Sequence, residues 1–373
     1  MRVGIASEWV GERVGGLERQ SADLIRSMVS VDPVNQYVVF VTARGARTLG
    51  HLAGDRTTIR STAFNSRWYY VPVGLPLSVL RNQVDVLHAM FTVVPWCPAR
   101  HVVLTVHDVC PDVHPEFFPP GIRARFRWLL TQGVSRADRV IVPSALTRRE
   151  LLQHYDVDEG KVVVIPDGVR DTMDTLTGDA SETDEPFDET QWPKEFALYV
   201  GRFHARKNLE RLLEAFARSS SRRSGLRLIL AGRDLWSGER IKARIAELGL
   251  ESDVVCPGHV SDATLGQLYR RARAFVFPSL HEGFGIPPVE AMAHDVPVLA
   301  CRISAMPEVL GDAAYYTDPY DTCEMASSLD ELVSNDTLRR ELIERGRRRA
   351  NLYAWPGVAG QTLALYSQVA GLS

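Results

Sequence analysis

Along the chain, short runs that are apolar at nearly every position alternate with stretches in which apolar residues recur every three or four positions. Val3-Gly4-Ile5-Ala6, Tyr37 to Thr42, Val84 to His88, Val102 to Val106, Arg139 to Val142 and Val162 to Ile165 are runs of the first kind. A strand covered by helices on both faces needs apolar residues on both, so unbroken runs predict a parallel sheet. The intervening patterns are helical, the first with Leu17, Leu24, Ile25 and Met28 on one side. A second series opens at Phe196 to Val200 and continues with Leu226 to Ala231, Val254-Val255, Phe275 to Phe277, Val298 to Ala300 and Ala313 to Tyr316. Its first helix carries Leu209, Leu212, Leu213 and Phe216, an i, i+3, i+4, i+7 stripe. Each series alone predicts a doubly wound α/β domain.

Between the two series the pattern stops. DTMDTLTGDASETDEPFDETQWP is acidic, polar and without a period, as a linker is. The predicted organisation is therefore a Rossmann-like domain over 1–170, a linker over 171–193, a second Rossmann-like domain over 194–354, and a closing segment over 355–373. Trp355 and the apolar helix from Val358 to Val369 need a surface to cover, and the N-terminal domain can supply it. A length of 373 residues suits two such domains. A net charge of −3 gives no global attraction to nucleic acid, and no partner of that class is expected. The five cysteines are odd in number and scattered, which predicts buried, reduced thiols in a cytoplasmic protein. No stretch approaches the ~20 apolar residues of a membrane span.

The chemistry concentrates in FVFPSLHEGFGIPPVEAMAHDVPVLACRISAMP, residues 275–307. A buried strand leads into a loop with Gly283 and Gly285. Pro287 and Pro288 then pre-set a helical turn, and a second buried strand follows. Free amides and the positive end of the helix dipole make such a turn an anion site. Glu282 and Glu290 bracket it, and carboxylates accept hydrogen bonds from sugar hydroxyls. Each alone has a plainer reading, a solvated loop residue or a charge suited to a helix N-terminus. Arg202, at a strand's carboxyl end, and Lys207, just before a helix, share one loop and could hold a diphosphate. His88 and His107-Asp108 also end strands and could touch a substrate; the alternatives are a satisfied core histidine and a strand-end cap. Backbone groups near Val260 could face a nucleobase. The glycines Gly11, Gly15 and Gly16 follow the first strand without the GxGxxG spacing, so no dinucleotide site is expected. Asp156-Val157-Asp158 is formally a DxD motif but falls between a helix and a strand, where it is expected to serve a turn. The run from Pro120 to Arg139 mixes Arg123, Arg125 and Arg127 with Phe126, Trp128 and Leu129. A crossover helix with a solvated basic face is favoured over a helix resting on anionic lipid.

GRFHARKN followed by HEGFGIPPVEAMAHDVPVLACRISAMPEVLGDAA resembles the signature of retaining glycosyltransferases of family four. GGLER, VHDVCPDVHPEFF, VSRADRVIVPSALTRRELLQHY and IPDGV resemble the family's N-terminal segments, most of all those of bacterial mannosyltransferase-type members that build O-antigen. The resemblance implies the GT-B fold, two Rossmann-like domains facing a central cleft, and hexosyl transfer with retention. A nucleotide sugar, GDP-mannose above others, would donate to a glycan or lipid-linked acceptor, with no metal and no further cofactor. By motif position Glu290 would bind the donor ribose. Glu282, with the amides of Gly283, Phe284 and Gly285, would hold the transferred sugar, and Ile286 and Val260 would complete the donor site. Arg202 and Lys207, helped by Gly16, would neutralise the diphosphate, and His107 would touch the sugar. His88 and Asp108 remain acceptor or sugar contacts, and Arg123, Arg125 and Arg127 a peripheral contact with the inner membrane surface. Two other readings stay open, a sugar-nucleotide-binding protein without turnover and a sugar-nucleotide epimerase.

Overall fold

The computed structural model describes residues 1–7, 10, 16–61, 73–90, 98–169, 188–235 and 237–372. They form two units, Met1–Gly168 with Trp355–Ser373, and Val169–Ala354.

The strands of the first unit are β1 (Arg2–Ala6), β2 (Gln36–Val41), β3 (Thr57–Ser61), β4 (Val86–Ala89), β5 (His101–Thr105), β6 (Arg139–Val142) and β7 (Val162–Val164). They pair in parallel in the order β3-β2-β1-β4-β5-β6-β7, which reverses direction between β1 and β4. The apolar runs serve both faces, as their lack of alternation requires. Val38, Leu87, Leu104 and Val140 enter one core layer, while Val3, Val39, Val86 and Val103 enter the other. β3 is not among the predicted strands. TTIRS lies at the sheet edge with only Thr57 buried, so it offers no apolar run to recognise. The helix Gly16–Val31 buries Leu24, Ile25 and Met28. The side chain of Leu17 and the glycines Gly11 and Gly15 lie outside the described residues.

The closing helix, Trp355–Val369, belongs to this first unit. Its Trp355, Val358, Ala359, Leu365 and Tyr366 share a core cluster with Ile25 and Met28. Gly168 matters to that packing, because a Cβ there would stand 2.3 Å from the Trp355 ring. The helix Pro120–Arg136 connects β5 to β6 and turns Leu130, Gly133 and Val134 inward. Arg125 and Arg127 are exposed on it, Arg123 is half-buried, and Trp128 is 59% exposed.

The second unit contains β8 (Phe196–Val200), β9 (Arg227–Ala231), β10 (Val254–Gly258), β11 (Ala274–Phe277), β12 (Val298–Cys301) and β13 (Ala314–Thr317). Their parallel order, β10-β9-β8-β11-β12-β13, reverses between β8 and β11. The predicted stripe is buried as expected, with Leu209, Leu212, Leu213 and Phe216 all turned inward on helix Leu209–Arg218. Residues 171–187 of the expected linker lie outside the described residues. The cysteines correct one expectation: Cys110 and Cys301 are buried free thiols, but Cys256 and Cys323 are exposed. Cys97 lies outside the described residues.

Candidate active site

A doubly wound sheet places its ligand crevice beyond the strands' carboxyl ends where their order reverses. In the second unit that point lies between β8 and β11, and the loops after these two strands carry the predicted groups. Arg202 follows β8, its carbonyl accepting from the Tyr199 hydroxyl at 3.3 Å. Its guanidinium is half-buried and its pKa is lowered, first by burial and then by Arg206 and Arg233. Among the described residues no carboxylate forms an ion pair with it, so an anion would relieve both penalties.

The next turn is one of 3₁₀ helix, Ala205–Lys207. His204 caps it through Nδ1, which accepts from the Arg206 N–H at 3.3 Å. Asn208 ends it in the left-handed region, at φ 58°, and its side chain donates to the Pro319 carbonyl at 2.8 Å. So held, Arg206 and Lys207 reach the loop after β11. Lys207 donates to Glu282 Oε1 and lies 5.1 Å from the centroid of the Phe277 ring. Arg206 Nη1 donates to Glu282 Oε2 at 2.8 Å and to the His281 carbonyl at 2.6 Å, while the Leu280 N–H donates to the Arg206 carbonyl at 2.8 Å. Glu282 is only 7% exposed. Burial by itself would raise its pKa, but the charges of Arg206 and Lys207 outweigh it and pull the carboxyl down to about 2. Its backbone is fixed too: the N–H donates to Ser304 Oγ at 2.9 Å and the carbonyl accepts from the same hydroxyl at 2.8 Å. The pair predicted to serve sugar and diphosphate separately thus hold each other.

The helix Ile286–Ala293 begins directly after this loop, with Pro287 and Pro288 in its first turn as predicted. Gly285 is left-handed, at φ 89°, which favours glycine, and a side chain there would also have to displace the terminal methyl of Met306. Gly283 and Phe284 are buried, Phe284 standing edge-on to Tyr353 with centroids 5.0 Å apart, and Ile286 is half-buried. Glu290 is half-buried one turn on, and its Oε2 accepts from the Tyr269 hydroxyl at 2.9 Å. The Tyr269 ring stacks on His294 with centroids 5.1 Å apart. His294 Nδ1 lies 2.9 Å from the Glu290 carbonyl. Tyr269 comes from the helix Asp262–Arg271, and Val260 is half-buried in the turn before it.

In the first unit, His107 follows β5 and its Nδ1 lies 3.1 Å from Asp167 Oδ1. Burial works against a charged ring here. Asp167, then Asp108 and the Met90 backbone, more than offset it, and the pKa of His107 is raised. Asp108 Oδ1 accepts from the Cys110 N–H at 3.1 Å, which ties it to the start of the next turn. Gly16 is exposed as the first residue of helix Gly16–Val31. His88 is a correction. It is 0% exposed, with Nδ1 2.6 Å from the Tyr366 hydroxyl and Nε2 2.7 Å from Thr105 Oγ1, so both ring nitrogens are occupied inside the core. Burial and the charge of His107 push its pKa down to about 3, and it is not a substrate contact. Asp158 caps a turn, accepting from the Gly160 N–H at 2.9 Å, which is the turn role expected for the DxD.

Four contributors were not singled out in the sequence. Arg206 lay beside Lys207, but one residue along a loop does not fix direction. Tyr269 belongs to no motif, although a buried tyrosine hydroxyl needs a partner. Asp167, following an apolar run, sat where a strand-end ligand could be sought. Ser304 carried no signal at all.

Comparison with known proteins bears on the whole chain. The family model described as Glycosyltransferase Family 4 matches residues 14–172, and the one described as Glycosyl transferases group 1 matches residues 182–349. The chain is 25% identical to O-antigen chain mannosyltransferase B of Escherichia coli, over 98% of this chain and 99% of that one. It is 27% identical to the serotype-specific mannosyltransferase WbdA of Escherichia coli over 71% of this chain, but spans only 33% of that longer protein. Among solved structures, sucrose-phosphate synthase from Thermosynechococcus elongatus superposes with a TM-score of 0.78 at 19% identity, over 100% of both chains. HepE of Anabaena, in complex with UDP and glucose, gives 0.76 at 18% identity over 99% of this chain and 100% of that one. The chain belongs to the glycosyltransferases, and its two Rossmann-like domains are those of the GT-B fold.

Proposed function

We propose that this glycosyltransferase moves a mannosyl group from GDP-mannose to a glycan or lipid-linked glycan acceptor, with retention at the anomeric carbon and without a metal. The observation that carries the reading is the meeting of Arg202, Arg206, Lys207 and Glu282 at the β8/β11 reversal, before the helix Ile286–Ala293. In this reading Arg202 and Lys207 receive the diphosphate and the amides around Gly283 to Gly285 face the sugar. Val260 and Ile286 border the donor, and Glu290, aligned by Tyr269, accepts from the ribose. The C1–O bond of the donor breaks, the acceptor oxygen bonds to C1 on the same face, and its proton passes to the leaving phosphate. Fixed cations and the helix dipole stabilise the charge that develops on that phosphate. His107, charged over a wider pH range than a free histidine, is the first unit's candidate hydrogen-bond donor to a substrate hydroxyl, with Asp108 beside it and Gly16 as a backbone contact. The mannosyl preference follows the mannosyltransferases to which the chain is similar. We further place the protein in the cytoplasm, at the membrane surface, with the face of helix Pro120–Arg136 that exposes Arg125, Arg127 and Trp128 toward anionic lipid. Arg123 flanks that face.

The test is thermal unfolding with a panel of nucleotides and nucleotide sugars in the presence of a chelator. GDP and GDP-mannose should stabilise the wild type by about 2.7 kcal/mol at a hundred times Kd. Lys207→Ala and Glu290→Ala should lose most of that. Stabilisation by UDP compounds alone would overturn the donor assignment, and none by any nucleotide would overturn the site.

A further inference from the structure

Lys207 has two demands on one ammonium. In this structure it is bonded to Glu282, and in the proposed function it receives the donor diphosphate. A buried carboxylate that loses its counter-ion is left uncompensated in a medium that solvates it poorly. If Lys207 were the sole cation on Glu282, diphosphate binding would carry that penalty in full. Glu282 has a second cation. Arg206 holds its other oxygen at 2.8 Å and is itself anchored, by the His281 carbonyl at 2.6 Å and by the Leu280 N–H on its own carbonyl at 2.8 Å. The Arg206 guanidinium is tied to the loop after β11, whereas the Lys207 ammonium is a point charge on a flexible stem.

We infer that Arg206 is a positioning residue that keeps Glu282 fixed and charge-compensated while Lys207 exchanges Glu282 for the diphosphate of a nucleoside diphosphate. Donor binding then frees Glu282 Oε1, the oxygen that Lys207 covers, and leaves it aimed and ionised for a hydroxyl of the transferred sugar. Arg206 touches neither phosphate nor sugar in this arrangement. It acts through Glu282, and its effect on nucleotide affinity exists only while Glu282 is a carboxylate. This inference rests on the donor-site reading above.

A double-mutant cycle measures it. UDP and GDP, which carry the diphosphate and no sugar, are titrated calorimetrically into the wild type, Arg206→Met, Glu282→Gln and the double variant. Whichever nucleotide the wild type binds should bind Arg206→Met about tenfold or more weakly. In the Glu282→Gln background the same Arg206→Met change should cost nothing, because no carboxylate then competes for Lys207. Arg206→Lys, which keeps a cation, should stay within about threefold of the wild type. Thermal melts of each variant confirm that the titrated protein is folded. An equal loss in both backgrounds would mean that Arg206 contacts the phosphates or merely supports the loop, and would overturn the exchange alone. A wild type that binds neither nucleotide would overturn the donor site and the exchange with it.

Discussion

At the scale of single residues, the outcome at each candidate histidine was decided by what its ring nitrogens meet. His88 and His107 both sit at the ends of strands in one sheet, and the sequence treats them alike. His88 meets two hydroxyls, from Tyr366 and Thr105, and is consumed by the core. His107 meets the carboxylate of Asp167, sixty positions later in the chain, and is held ready to carry charge. No local pattern distinguishes the two, because the deciding partners arrive from other elements. The same holds for Glu282, whose loop was legible as a site while its pairing with Arg206 was not. For His107 the pKa is raised, so the stability it contributes is fully present below the unfolded value and is lost as pH rises through the folded one. Asp167→Asn should therefore destabilise the protein by about 1.5–3 kcal/mol near pH ~5.5, the range for a hydrogen bond to a charged group. That difference should shrink toward pH ~8.5, as pH rises through the raised folded value and the ring loses its charge. Urea unfolding at the two values checks it, and a difference independent of pH would show that the pair is not ionic.

At the scale of elements, periodicity located strands and helices well wherever burial was two-sided. β6 and β8 fall where the apolar runs put them, and the helix Leu209–Arg218 faces inward along its predicted stripe. It missed β3, whose edge position leaves Thr58, Ile59, Arg60 and Ser61 partly in solvent. The helix Pro120–Arg136 was recognised as a crossover, yet its outer face is not simply polar. Ile122 is 41% and Trp128 59% exposed, and Arg125 and Arg127 stand beside them. Apolar side chains set among cations match an anionic lipid surface, where each arginine contributes about 1 kcal/mol. Arg127 spends part of its charge on Asp112, at 3.4 Å, and Arg123 is half-buried, so neither counts in full. Reversal of Arg123, Arg125 and Arg127 to glutamate should lower partition onto anionic vesicles about a hundredfold or more. Sedimentation with vesicles measures it; binding equal to the wild type would leave this helix a plain crossover.

At the scale of the whole molecule, two sheets with their own cores were foreseeable from two series of apolar runs separated by an acidic stretch. Less obvious is that the first unit is discontinuous in sequence. It ends at Gly168 and resumes at Trp355, with the entire second unit inserted between. The closing helix is therefore core to the first unit. Trp355, Val358, Leu365 and Tyr366 are each at most 7% exposed, and the Tyr366 hydroxyl also holds His88. Burial of side chains of this size stabilises by about 1.5–3 kcal/mol each. Their loss together approaches the about 5–15 kcal/mol that holds a domain folded. A chain ending at Ala354 should lose the first unit selectively, because the second keeps its own six-stranded sheet and its Arg206–Glu282–Lys207 cluster. Limited proteolysis followed by mass spectrometry should then show rapid cleavage throughout residues 1–168 while residues 188–354 resist as in the wild type. Equal protection of both stretches would mean that the first sheet holds without its last helix, and that the helix serves something other than the fold. If instead both stretches become rapidly cleaved, the two units unfold together, and the closing helix secures the second unit along with the first core.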